Sequence, residues 1–364
     1  MSAKSEVNTV FGYVALFPLE APLRISILAA AMAALLLVAP FAPARGQVPK
    51  DRIRLSIGQG NYAYLPIFLA VDQGFFAEQN LDVQITKYNG SANTQVPLLA
   101  RGDLDITPVV LGPPIFNQLA QGFDLTLIAS ISQAHKGWNG ATWLMVRQDL
   151  WDAGTIRKVT DLKGKRVDNG VVGTVADLMM REALTANNMP TTDVNLTYTV
   201  RGPADWYAGM RNKAFDAMGT VEPIASELEE QKLGHKWLTY NDVTPWIQDS
   251  YFGASAAFLK THADVVRRFL IAVLKADRIV DASGGKWTPQ LIDEVAKWTE
   301  LPPADIARVP GPNYVGQFGS INFDSIARAE NLLVAIGAVQ QRVPPAQMAD
   351  TGPLGAARKA LGIR

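Results

Sequence analysis

From residue 53 onward, apolar runs of strand length alternate with amphipathic runs of helix length. This order constrains the fold most, because strands separated by helices pair in parallel and bury both faces beneath helices. Ile53–Ile57 reads as the first strand. Pro66 then starts a helix whose apolar stripe holds Leu65, Phe68, Leu69 and Phe76. Leu81, Val83 and Ile85 alternate with polar residues as a second strand. A helix opens at Gly90–Thr94, with Val96 and Leu99 inward and Gly102 at its end. Ile106–Leu111 is the third strand, Pro113 starts the next helix, and Leu125–Ile131 is the fourth strand.

A second unit of the same kind begins near residue 150. A strand follows Asp161–Val167, and Thr174 caps a helix, with Asp177 completing an approximate capping box. Val194–Val200 alternates as a strand, Pro203 starts a helix, Phe215–Gly219 is a short strand, and Glu222-Pro223 opens another helix. From Tyr251 the chain reads as one strand through Phe258, followed by helices. The first is a long amphipathic one marked by Val265, Val266, Phe269, Val273 and Leu274; others follow near 289–299 and 323–341. Helices without strands cannot form a sheet layer of their own, so the tail is expected to pack back on the first unit. The second unit is then an insertion, entered and left near 145–152 and 244–252.

The chain of 364 residues contains no cysteine and balances 34 basic against 34 acidic residues. Disulfides, thiolate metal sites, iron–sulfur clusters, a cysteine nucleophile and a lipid-bearing cysteine are thereby excluded. The balanced charge supplies no global field for nucleic acid or acidic lipid. His135, His235 and His262 are isolated, so no metal site is expected. Arg24, the apolar run Ile25–Val38 and the small residues Ala42 and Ala44 form a secretory signal, with cleavage expected after Ala44. An uncleaved N-terminal anchor is the alternative. Both place the folded part outside the cytoplasm, in the periplasm and without a lipid.

In open parallel sheets, ligands sit beyond the carboxyl ends of the strands, beside helix N-termini. The loops there carry Gly60, Asn61, Tyr62 and Tyr64; Ser91, Ala92 and Asn93; Gly112; Gly173, Thr174 and Val175; Arg201 and Trp206; and Glu222. Such residues hold small polar molecules through hydroxyls, amides, backbone N–H groups and aromatic walls. Arg201 is the one arginine of the set and is expected to balance an anion. Tyr62, Trp138 and Trp206 are expected to form apolar walls. Each also has an ordinary structural role open to it: Ser91 and Thr174 as helix caps, the glycines in turns, the tryptophans in a core, Arg201 on the surface. Gly58-x-Gly60-x-x-Ala63 fits a relaxed dinucleotide fingerprint, but the next strand ends at Lys87–Gly90 without the required acid. No catalytic residue and no cofactor is expected.

Several stretches in order resemble the solute-binding proteins of ABC importers. The similar branch is the nitrate/sulfonate/taurine type, which also includes thiamine-pyrimidine-synthesis-like members. The stretches are Tyr64–Val83, Asn89–Asn93, Leu99–Ile106, Thr160–Val167 and Thr220–Pro223. The resemblance implies an α/β fold, periplasmic-binding-protein type II-like, with two lobes of parallel-rich sheets flanked by helices and two crossover segments. The expected divisions are a signal at 1–44, lobe I first part at 45–148, an inserted lobe II at 149–248, and lobe I second part with C-terminal helices at 249–364. It implies that Gly60–Tyr62, Ser91–Asn93 and Gly173–Val175 line the cleft, with Glu222 near it. The expected ligand is a small organic anion, a sulfonate or carboxylate and possibly aromatic; the expected partners are a membrane permease and ATPase, for a monomeric protein. The fungal pyrimidine-synthesis relatives use cysteines in a signature that this chain lacks. An exported enzyme on the same fold, or a sensory partner of a membrane receptor, is the alternative.

Overall fold

The computed structural model describes residues 49–198 and 202–363. The expected signal segment and Arg201 lie outside the described residues. Among these, ten strands form three sheets. β1 (Asp51–Gly58) pairs in parallel with β2 (Leu81–Tyr88). β3 (Thr107–Val110) and β4 (Thr126–Ser132) flank the later strand β10 (Ser250–Ala254), which runs antiparallel to both. A parallel bridge from Leu55 to Ile106 ties the first sheet to the second.

The third sheet has the order β7-β6-β8-β5-β9, with β5 Thr142–Arg147, β6 Arg166–Asp168, β7 Asn195–Thr197, β8 Ala217–Val221 and β9 Gly234–Thr239. β6 is parallel to β7 and β8, whereas β5 is antiparallel to β8 and β9. The two strands that follow passages between sheets, β5 and β10, are thus the antiparallel ones. The chain makes these passages at 133–141 and 244–249, the first earlier than the sequence reading placed it, because Thr142–Arg147 already pairs in the third sheet. The two passages are joined by a hydrogen bond from Ala134 N to Ile247 O at 3.0 Å, and Asn241, just before the second, donates from Nδ2 to Trp138 O at 2.9 Å. Gln248 fastens the second passage to the tail, its Nε2 donating to Ser320 O at 2.8 Å and its Oε1 accepting from Asn322 N at 2.7 Å.

The long helix Ala256–Ala282 buries Val265, Val266, Phe269, Val273 and Leu274, as its spacing predicts. Its backbone is broken at His262. The strand expected through Phe258 ends instead at Ala254, because the Ser255 hydroxyl accepts from Phe258 N at 3.1 Å and caps this helix. The helix Leu65–Asp72 is buried on every side rather than along one stripe: Leu65, Pro66, Ile67, Phe68, Leu69 and Ala70 are all buried. Ala256–Ala282 covers one side of it, and Phe68 stacks on Trp298 of the helix Pro289–Thr299 at 5.2 Å. Gly74, at φ +73°, turns the chain before Phe76, which lies in a separate short helix.

The helix expected after Thr174 is present as Val175–Ala186, but its first turn is held differently. The Thr174 hydroxyl donates to Val171 O at 2.9 Å. Asp177 accepts from Gly173 N at 2.9 Å, from Arg181 Nε and from the Tyr198 hydroxyl. It is therefore the hub of a buried polar network rather than half of a capping box. One carboxyl of the long helix stands apart. Asp277 is buried beside Tyr64, Ile67, Phe252 and Val273 around a cavity of about 10 Å³. Burial, with Asp281 nearby, pushes its carboxyl well above the usual carboxylate range.

Candidate functional site

The carboxyl ends of β1, β3, β4, β8 and β9 meet the amino ends of β5 and β10 around one cavity of about 260 Å³. The antiparallel strands arrive from the opposite direction, so their beginnings share the edge where the others finish. That edge is where open α/β sheets place ligands, since helix starts and irregular backbone are concentrated there.

Gly60–Tyr64 supplies one wall. Gly60 adopts φ +71°, which turns the chain off β1. Asn61 Oδ1 accepts from Ala63 N at 2.9 Å and starts the short helical turn carrying Tyr62 and Tyr64. The Tyr62 hydroxyl accepts from Asn139 Nδ2 at 3.2 Å, and the Tyr64 and Tyr88 hydroxyls lie 3.2 Å apart. Burial raises the Tyr62, Tyr64 and Tyr240 phenols, so all three keep their protons at neutral pH.

The opposite ends contribute Val110, Ile131, Ser132, Asp249 and Ser250. Ser132 Oγ donates to Asp249 Oδ1 at 3.1 Å and lies 2.6 Å from Ser250 Oγ. Burial pushes the Asp249 carboxyl above its usual range, against the lowering effect of that hydroxyl. The third sheet adds Ala141, Thr142, Val221, Glu222 and Tyr240. Glu222 Oε2 accepts from Ser226 N at 3.1 Å. Lys236 Nζ pairs with Oε1 at 3.0 Å, the Glu222 side chain being buried and that of Lys236 nearly so. Lys236 also donates to Ser226 Oγ at 2.7 Å and lies 5.1 Å from the Trp143 ring centroid.

Of the residues singled out in the sequence, the cavity brings together Gly60, Asn61, Tyr62, Tyr64 and Glu222. The other described ones stand outside its lining. Ser91 caps the turn Ala92–Gln95 by accepting from Asn93 N at 3.3 Å, and Ala92 is buried there. Asn93 clasps the end of β3, donating to Val110 O at 3.0 Å and accepting from Val110 N at 3.1 Å. Replacing Asn93 by alanine is expected to cost about 1–2 kcal/mol through the loss of both bonds. A lowered urea midpoint checks this; an unchanged midpoint shows that water replaces the clasp.

Gly112 begins the helix Pro113–Ala120 and faces the Gly173 carbonyl. Gly173, at φ +78°, is pressed so closely against Pro113 and Leu333 that a Cβ would meet them within 2.6–2.7 Å. Thr174 serves the turn described above, and Val175 packs against a core cluster. Trp138 packs against Tyr314 at 5.1 Å on the first passage between sheets. Trp206 joins the cluster of Met145, Met210, Phe215 and Met218. Arg201 lies outside the described residues.

Sequence reasoning missed Ser132, Thr142, Tyr240, Asp249, Ser250 and Asn313. Thr142 and Tyr240 adjoin β5 and β9, neither of which was read as a strand. β9 mixes His235 and Lys236 into its run and shows no clean alternation. Asp249 and Ser250 fall where a passage becomes a strand, and the only signal is a polar pair just before the apolar Tyr251-Phe252.

The layered sheets, the cavity at their shared edge and the two passages define a type II periplasmic-binding-protein fold. A family model described as "NMT1/THI5 like" matches residues 61–280, and the chain belongs to that family. A curated relative, YtlA of Bacillus subtilis (strain 168), whose name assigns it a binding role provisionally, is 26% identical over 234 residues. The match covers 61% of this chain and 64% of that protein, less than two thirds of its length. The periplasmic aliphatic sulphonate-binding protein SsuA of Escherichia coli superimposes with a TM-score of 0.65 at 20% identity, over 82% of this chain and 97% of its own. The periplasmic nitrate-binding protein NrtA of Synechocystis PCC 6803 gives 0.66 at 16% identity, over 86% and 90%. The desulfurization enzyme DSZB also shares the fold, with a TM-score of 0.59 at 15% identity over 86% of this chain and 100% of its own. Among the described residues, no helix is long and apolar enough to cross a membrane.

Proposed function

We propose that this chain is the periplasmic solute-binding protein of an ABC importer, and that it captures a small organic solute and hands it to a membrane permease served by an ATPase. The observation that carries the reading is the cavity where the strand ends of the sheets converge, lined by tyrosines, hydroxyl-bearing residues and the two asparagines Asn61 and Asn313. Family membership and the binding-protein neighbours support it. The divisions at 1–44, 45–148, 149–248 and 249–364 then correspond to a cleaved signal, a split first lobe and an inserted second lobe. Solute in contact with both lobes draws the population toward a closed form that the permease recognises. The protein acts as a monomer, without lipid, metal or cofactor.

A small organic anion is the ligand expected from Arg201 and the resemblance, and the names of the sulphonate- and nitrate-binding neighbours lean the same way. The described lining leads elsewhere, as argued below. DSZB shows that this fold also hosts an enzyme, so the reading needs a functional test. Purified protein is titrated with sulfonates, carboxylates and amines while tryptophan fluorescence and melting temperature are followed. A solute at about 100 times its Kd is expected to add about 2.7 kcal/mol of stability. Conversion of the bound compound, detected by mass spectrometry, would assign the protein to the enzymes instead.

A further inference from the structure

We infer that the cavity takes an organic cation, a protonated primary or secondary amine of modest size, with its ammonium directed at Asp249. The inference rests on the solute-binding reading above and names the chemistry of its ligand. Asp249 and Glu222 are the ionisable residues of the described lining apart from tyrosines, the Glu222 side chain is fully buried, and no lysine or arginine is among them. Lys236 pairs with Glu222 at 3.0 Å and with Glu229 at 3.9 Å. Asp249 has the Ser132 hydroxyl as a donor and no ion-pair partner among the described residues.

The acceptor positions point the same way. Asp249 lines the cavity with a hydroxyl donor and no cation beside it among the described residues, whereas Lys236 Nζ already meets Glu222 Oε1 at 3.0 Å. A carboxylate that lines a cavity without a cation is completed by a ligand that brings one. An ammonium brings two or three donors and a charge; a sulfonate brings only acceptors and a charge of the wrong sign for Asp249. The wall phenols Tyr62, Tyr64 and Tyr240 are neutral, and aromatic rings favour a nearby cation. A volume of about 260 Å³ suits a solute smaller than a typical drug.

The test uses matched compounds that differ only in the head group. Benzylamine, benzyl alcohol, benzoate and benzenesulfonate form one set; butylamine, butanol, butyrate and butanesulfonate form the other. Binding to the purified chain is measured by calorimetry up to millimolar concentration. The amines are expected to bind at least about tenfold more tightly than the sulfonates. Asp249→Asn is expected to abolish that preference while the protein still melts cooperatively. If this variant fails to fold, the order of affinities in the unaltered protein decides. Tighter binding of the sulfonates overturns the inference and leaves the solute-binding reading standing. Silence from both sets overturns the inference together with that reading.

Discussion

Replacing Lys236 by methionine is expected to destabilise the protein by about 3–5 kcal/mol, the usual cost of stranding one member of a buried ion pair. The Lys236 and Glu222 side chains are 10% and 0% exposed, and Lys236 Nζ is 3.0 Å from Glu222 Oε1. Methionine fills the stem's volume and removes the charge, so the loss is electrostatic rather than a cavity effect. Glu222 would then keep only the Ser226 N–H as a partner for its charge. The matching double variant, Glu222→Gln with Lys236→Met, is expected to recover most of the loss, because the stranded charge is gone. Urea unfolding of the single and double variants measures both effects. A single variant with an unchanged midpoint would show that water in the cavity already solvates Glu222.

Asp277→Asn is expected to do the opposite and stabilise the protein at neutral pH. The carboxyl is buried on the inner face of Ala256–Ala282, and its proton is held well above the usual range by burial. The folded state therefore binds this proton more tightly than the unfolded chain does. Stability from the group is complete below the ordinary carboxyl pKa, about 4, and is lost as pH rises through the raised folded value. The loss amounts to about 1.4 kcal/mol for each pH unit separating the two values. Asparagine has a similar shape and nothing to titrate. The variant should match the parent near pH 4 and melt several degrees higher at pH 8. Melting curves across that range check the sign; parallel profiles would mean that Asp277 stays ionised, solvated by water in the small cavity beside it.

Much of the fold was legible because it rests on local patterns. Short apolar-rich runs identified β1 and β4, alternation identified β2, proline placed the starts of Pro113–Ala120 and Pro203–Arg211, and 3.6-residue spacing marked the buried face of Ala256–Ala282. These features depend on a residue's near neighbours in sequence. Strand direction does not: β5 and β10 are antiparallel because of where the chain re-enters each sheet. The site was half legible for the same reason. Gly60–Tyr64 and Glu222 follow strands that show their pattern. Asp249 and Tyr240 sit beside Tyr62 only after the passage 244–249 brings residues far apart in sequence to one edge.

The roles of single residues divided in the same way. Ser91 reads as a cap or a ligand group, and in the structure its hydroxyl accepts from Asn93 N. Thr174 and Asp177 fit a capping box by spacing, yet Arg181, Tyr198 and Gly173 claim Asp177 instead. By itself, the sequence determined the α/β class and the absence of all cysteine chemistry, for which periodicity and composition suffice, and the family resemblance, which rests on the ordered stretches from Tyr64 to Pro223. Only the tertiary structure decided which strand ends share an edge and which carboxyls line the cavity. Burial and long-range pairing set those outcomes, and neither is written in the order of neighbouring residues.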